Sequence, residues 1–296
     1  MNKIAKAHIA LFIANLIYGG NYTVAKEVMP EYIMPFGIIV IRVIAALLIY
    51  SIYTYFFINE KIAKKDYLKL AICGLFGVAI NQLLFFKGLS ITTPINAAVI
   101  MTTNPILVLI AASLIIKEVI TVQKIIGICL GAIGAIILIL FGNNFSLGSE
   151  TLSGDLMIFL NSMSYGAYLV LVKPLMEKYH PLTVIKWVFC FGALFVIPVG
   201  YDDLMKVEWM EMPTSIWGAL AYVVIGTTCI AYLCNTFALK TLNASVVSTY
   251  IYSQPLFAGI IALSFAKDEL TLIKVVSAIL IFIGVYLVSK PKTKTT

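Results

Sequence analysis

The chain has 296 residues, 61% of them hydrophobic and only 12% charged, with a mean hydropathy of +1.00 and a formal net charge of +7. An average soluble domain is roughly 25% charged, so this chain lacks the polar side chains to cover a water-facing surface. Lipid is the expected solvent, the excess of lysine becomes a matter of membrane orientation, and nucleic acid is not an expected partner.

Ten apolar stretches approach the ~20 residues that a bilayer core demands. They lie at 7–28, 34–57, 67–88, 95–116, 120–141, 155–173, 182–200, 215–237, 244–265 and 270–289. The first is too long for a cleaved signal peptide and has no small-residue cleavage site. It sets Asn15, Tyr18 and Tyr22 at i, i+3 and i+7, on one helical face, with Asn21 beside them. In the second, Arg42 lies about eight residues in. A guanidinium in hydrocarbon costs at least ~2.5–3.5 kcal/mol, so Arg42 should face a polar interior. Two roles suit it: holding an anionic group of a substrate, or snorkelling to helix-end carbonyls and headgroups. Lys26 either joins it in a cationic patch or anchors the end of its helix; Lys87 reads as an anchor.

The third stretch carries Asn81 and Gln82 near its middle. The fourth is broken at Thr103, Asn104 and Pro105, where proline removes a backbone donor and frees a carbonyl. The fifth carries Gly127, Gly131 and Gly134, a spacing that permits close helix contact, so it is expected to pack and not to line a cavity. After a loop at 142–154, the sixth sets Asn161, Tyr165 and Tyr168 on one face. The eighth, beyond an acidic loop at 201–214, brings Tyr232 and Asn235. The ninth is broken at Ser253, Gln254 and Pro255. The tenth has Ser277 and Ile281 where the fifth has Gly127 and Gly131, which speaks against a symmetric dimer seam.

Residues 89–139 align without a gap onto 239–289, with ten identities that include Pro105 with Pro255, Lys117 with Lys267, Thr121 with Thr271, Lys124 with Lys274 and Gly134 with Gly284. Two copies of five crossings must insert upside down relative to each other, an architecture common among alternating-access transporters. The expected fold is all-α and membrane-integral, with ten transmembrane helices in two inverted five-helix repeats, 1–142 and 154–290, joined by a linker at 143–153. With the N-terminus inside, fifteen lysines fall on the cytoplasmic side and five on the other, so both termini are expected in the cytoplasm.

Chemistry is sparse. The five cysteines lie within predicted helices with no CxxC pair and read as small packing residues. His8 and His180 lack a third ligand at metal spacing, so neither a metal nor another cofactor is expected, nor an enzymatic activity. All fourteen acidic residues fall in loops or at helix ends, which argues against a proton-coupled exporter of cations.

The stretch from Tyr18 through Gly19, Gly20 and Asn21 to Lys26 resembles the first-helix signature of EamA-type proteins of the drug/metabolite transporter superfamily. Ile41–Ala46, with Arg42, is similar to that family's second-helix pattern. Pro105 and Pro255, followed by Lys117, Glu118 and Thr121 and by Asp268 and Thr271, resemble the ends of its repeats. The resemblance implies helices 1–4 and 6–9 around a central cavity, helices 5 and 10 at the periphery, and movement of amino acids or related metabolites, often outward, across the inner membrane. Tyr18 stands where the family commonly has tryptophan. Arg42 has no counterpart in the second half, where Lys186, Trp187 and Val188 occupy the matching region. A Lys-Arg pair of the sugar-phosphate antiporter type is missing from helix 9.

The expected function is secondary transport, as an exporter, of amino acids or other small polar metabolites. Tyr18, Asn21, Arg42, Gln82, Asn104, Tyr165, Tyr168, Tyr232 and Gln254 would contact substrate, and the repeats would rock about Pro105 and Pro255. The alternatives are an organic-phosphate or nucleotide-sugar antiporter, a passive pore, and a membrane scaffold or sensor that moves nothing. The expected partners are a small-molecule substrate and the bilayer; monomer and homodimer both remain open.

Overall fold

The computed structural model describes residues 2–142, 151–257 and 271–290, and every regular element within them is helical. α1 (Lys3–Val28) is capped by Asn2, whose side chain accepts from the Ile4 N–H. α2 (Pro35–Phe57) opens on proline, tolerated where no intrahelical N–H bond is due. α3 (Lys64–Ile91) contains a π turn at Leu75–Ile80. α4 comprises Pro94–Met101, capped by the Thr93 hydroxyl on the Asn96 N–H, and Asn104–Ile115. α5 (Val122–Gly142), α6 (Leu152–Lys178), α7 (Pro181–Met205) and α8 (Thr214–Thr241) follow, and α8 holds a second π turn at Tyr222–Ala231. α9 (Ala244–Thr249) runs into a 3-10 turn, Tyr250–Ser253, and α10 (Leu272–Ser289) comes last.

Six of these helices (α2, α3, α4, α6, α7 and α8) are long and apolar enough to cross a membrane, and Val122–Ile137 and Val275–Ser289 are shorter apolar helices. α1 falls outside the six because Lys6, His8, Asn15 and Asn21 dilute its hydropathy. The end of the stretch 244–265, most of the loop at 142–154, and Lys267 and Asp268 lie outside the described residues. The protein is an all-helical, multi-pass membrane protein.

Its side chains are sorted for a lipid surrounding. Leu48, Ile52, Leu114, Leu194 and Phe282 are exposed, while Asn15, Arg42, Gln82, Asn104, Asn161 and Gln254 are buried. Backbone polar groups in hydrocarbon must be satisfied within the protein, so polar side chains gather where helices meet. All five cysteines are free; Cys73 and Cys229 are buried as packing residues, whereas Cys129 is exposed. Among the described residues no group of His, Cys, Asp or Glu could hold a metal ion.

The main helix contacts join α1 with α8, α2 with α7, α3 with α6, α4 with both α6 and α9, and α5 with α10. Glycines set two of the closest contacts. A Cβ on Gly127 would lie 2.8 Å from the Gly284 carbonyl oxygen, and one on Gly284 would lie 2.6 Å from that of Gly127. The glycine spacing of α5 therefore serves a seam with α10 of the same chain. Gly88 and Gly154 make the same mutual approach between α3 and α6, at 2.9 and 2.8 Å. The α3–α6 pair is also fastened at both ends. At one, Asp66 accepts from Lys178 and from the Tyr179 hydroxyl; at the other, the Thr92 hydroxyl donates to Asp155.

Gly127→Leu should lower the unfolding temperature in detergent, since overpacking such a contact costs about 1–3 kcal/mol. Ile126→Leu, on an exposed face, should leave it unchanged. Equal melting curves for the two variants would show that the seam does not hold the pair together.

Candidate functional site

Seven helical segments converge on a cavity whose space free of protein atoms, open solvent at its mouth included, is about 690 Å³. α1 contributes Asn15, Tyr18, Asn21 and Tyr22; α2 contributes Arg42; α3 contributes Asn81, Gln82, Phe85 and Phe86. Met101 comes from α4, Asn161 and Tyr165 from α6, Tyr232 and Asn235 from α8, and Val247, Ile251 and Gln254 from α9 and the turn beyond it. Among the described residues, α5 and α10 supply none of the lining, as the family resemblance implied. Neither does α7, which packs against α2.

Among the described lining residues the only charge is Arg42, which is also the only arginine of the chain. Its side chain is 4% exposed. Its Nε–H donates to the Thr228 hydroxyl at 2.6 Å, and its guanidinium carbon sits 4.4 Å from the centre of the Phe86 ring. Among the described residues it has no carboxylate partner. A guanidinium has five N–H donors, so the terminal nitrogens remain available to an anion in the cavity. The amide oxygens of Asn21, Asn161 and Asn235 are buried with no partner among the described residues, so the cavity also offers acceptors.

The remaining polar groups of the wall brace one another. Tyr22 OH donates to Gln254 Oε1 at 3.1 Å, Gln254 Nε2 to Asn15 Oδ1 at 2.8 Å, and Asn15 Nδ2 to the Leu11 carbonyl at 2.8 Å. This chain ties α1 to the segment after α9. Opposite it, Asn161 Nδ2 donates to the Asn81 carbonyl at 2.7 Å, Asn235 Nδ2 to Tyr165 OH at 3.2 Å, and Tyr232 OH to the Gly77 carbonyl. Gly77 lies in the π turn of α3, where a Cβ would strike the Tyr168 ring at 2.3 Å.

Of the residues expected from sequence to contact substrate, Tyr18, Asn21, Arg42, Gln82, Tyr165, Tyr232 and Gln254 line the cavity. Tyr168 lines a smaller adjoining pocket with Tyr18, Tyr165 and Tyr232. Asn104 turns away: it is fully buried and its Nδ2 donates to the Ser162 carbonyl at 2.8 Å. Pro105 stands in the first turn of the second segment of α4, just after the interruption at Thr102 and Thr103. Pro255 follows the 3-10 turn Tyr250–Ser253, the corresponding break in the second half. Lys26 does not join Arg42; its ammonium donates to the Thr92 carbonyl at 2.8 Å. Asn15, Asn161 and Asn235 shared helical faces with the expected residues and proved to line the cavity. Thr228 and Tyr50 carried no sequence signal beyond being polar in apolar helices.

The pattern of the EamA-like transporter family matches residues 5–140 and 152–290. The chain belongs to this family. Its relatives include a Bacillus subtilis (strain 168) protein described as the uncharacterized transporter YyaM, 30% identical over 81% of this chain and 79% of its own length. An uncharacterized transporter of Archaeoglobus fulgidus is 25% identical over 96% of this chain and 97% of its own. The WAT1-related protein At3g02690, chloroplastic, of Arabidopsis thaliana is 24% identical over 95% of this chain and 69% of its own. One crystal structure, 16% identical, superposes with a TM-score of 0.72 over 96% of both chains and shares the fold. As a member of the EamA-like transporter family the chain has a transport function.

Gln254→Leu would strand the Tyr22 hydroxyl and the Asn15 amide oxygen in this EamA-like wall. Each buried group left unpaired costs about 1–3 kcal/mol, so the melting temperature should fall well below that of Lys87→Ala. A Gln254→Leu protein as stable as Lys87→Ala would show that the bracing chain carries no stability.

Proposed function

We propose that this EamA-like transporter is a secondary transporter, an exporter of amino acids or other small polar metabolites that carry a carboxylate, and that Arg42 receives that carboxylate. The observation that carries the reading is a buried guanidinium in the wall of a polar cavity, without a carboxylate partner among the described residues. One planar guanidinium matches a monoanionic carboxylate through two parallel N–H bonds. The unpartnered amide oxygens of Asn21, Asn161 and Asn235 suit the ammonium or hydroxyl donors of such a solute. A phosphate or nucleotide-sugar cargo would call for a second cation, and among the described lining residues Arg42 is the single cation.

Alternating access between two inverted five-helix repeats, 1–142 and 154–290 with a linker at 143–153, is the proposed mechanism. Several matched features support it. The α1–α8, α2–α7, α3–α6, α4–α9 and α5–α10 contacts map onto one another when each helix of the first half exchanges with its counterpart in the second. The π turn Leu75–Ile80 corresponds to part of Tyr222–Ala231. Lys26 donates to the Thr92 carbonyl at the end of α3, and Lys173 to the Leu239 carbonyl near the end of α8. Pro105 and Pro255 follow matched interruptions and are the proposed pivots. The lysine distribution favours an inner-membrane location with both termini cytoplasmic.

Purified protein reconstituted in liposomes and screened with labelled amino acids and small organic acids should show saturable, trans-stimulated flux. Arg42→Ala should abolish it and Arg42→Lys should retain part of it, both with normal membrane insertion. Undiminished flux through inserted Arg42→Ala would overturn the carboxylate site, and flux without saturation or trans-stimulation would point to a pore.

A further inference from the structure

Arg42 is held by a residue that does not line the cavity. Its Nε–H donates to Thr228 Oγ1 at 2.6 Å, and Thr228 is fully buried in the π turn of α8. The Thr228 hydroxyl hydrogen is directed elsewhere, to the Val223 carbonyl at 3.1 Å. Its oxygen is thereby left as a fixed acceptor for Arg42. The backbone of Thr228 is pinned as well: Tyr50 OH lies 3.2 Å from the Thr228 carbonyl oxygen and 2.5 Å from that of Cys229. Arg42 and Tyr50 stand eight residues apart on α2, so one face of that helix grips Thr228 by both side chain and main chain. On its other side the guanidinium lies against the Phe86 ring.

We propose that Thr228 is a positioning residue for the anion site, fixing the rotation of the Arg42 guanidinium so that its terminal nitrogens face the cavity as a fork. With Nε tied and one face on Phe86, the plane of the group is set before an anion arrives, which lowers the ordering cost of binding. Without the tie, the side chain samples other rotamers and offers the fork part of the time. The inference rests on Arg42 being the anion contact, and it assigns to the second half of the chain a hold on the one arginine, which lies in the first.

Phenylglyoxal, an arginine-selective reagent, has a single target in this chain. The full-length protein in detergent is treated with it, and adduct formation at Arg42 is followed by mass spectrometry against rising benzoate. Thr228→Val, which keeps the shape and removes the acceptor, should raise the benzoate concentration for half-protection about tenfold, the scale of a lost hydrogen bond to a charged group. Thr228→Ser keeps the oxygen and should stay near the wild-type value. Thr227→Val is the matched control: Thr227 Oγ1 also donates to the Val223 carbonyl, at 2.5 Å, without touching Arg42. It too should leave half-protection near wild type. Should Thr228→Val fail to give monodisperse protein, Thr228→Ala takes its place with the same expectation. Half-protection in the Thr228 variant equal to wild type, or an equal shift in Thr227→Val, would overturn the positioning role while leaving the anion site standing. Failure of benzoate, acetate and inorganic phosphate alike to protect wild-type Arg42 would overturn the anion site and this inference with it.

Discussion

Inside a bilayer a helix spends its carbonyls on its own backbone, and that constraint governs where this protein can hold polar side chains. Carbonyls become available near helix ends and where the i to i−4 ladder changes. The π turn of α3 and its flank supply acceptors at Phe76, Gly77 and Asn81, taken by Ser164, Tyr232 and Asn161. The π turn of α8 supplies Thr228 and Cys229 to Tyr50, and Val223 to two threonine hydroxyls. Two further irregularities, the break in α4 and the 3-10 turn after α9, lie beside Met101, Ile251 and Gln254 of the cavity wall. The irregular turns thus surround the cavity, while α5 and α10, unbroken, pack against each other away from it.

Within this frame the two halves play unequal parts. The braces made by Lys26 and Lys173 are alike in both. The charge is not: Arg42 belongs to the first half, and the hydroxyl that holds it belongs to the second. The centre of the protein is therefore a joint product, with a cation from one side and its support from the other. A guanidinium so placed offsets part of the cost of burial through one hydrogen bond to the protein and a place in the wall of a polar cavity.

Much of this was legible in the sequence because it follows from composition or from residues with strong local effects. Hydropathy located the helices, and proline marked the breaks near Pro105 and Pro255. The glycines of α5 announced a close contact, though not that Gly284 was the partner. The i, i+3, i+7 spacing of Asn15, Tyr18 and Tyr22 showed which face of α1 looks inward. Asn104 is not among the lining residues: a polar residue beside a break can turn to either side, and its amide is directed to the Ser162 carbonyl. The π turns were not visible at all. Residues 75–80 read as any apolar helix, and the wider turn depends on partners from α6 and α8 that come close only in the folded chain.

Those wide turns also make chain length a structural quantity. A π turn closes its hydrogen bond one residue later than an α turn, so it stores about one residue that a regular helix of the same span would not need. Gain or loss of one residue at 75–80 or 222–231 is therefore the kind of change these helices can absorb locally, leaving the faces above and below in register. When EamA-like sequences are aligned, a single-residue gap inside an unbroken apolar run carries more meaning than a substitution there. It marks the appearance or loss of a set of free carbonyls, and with them the hold on the side chains that shape the cavity.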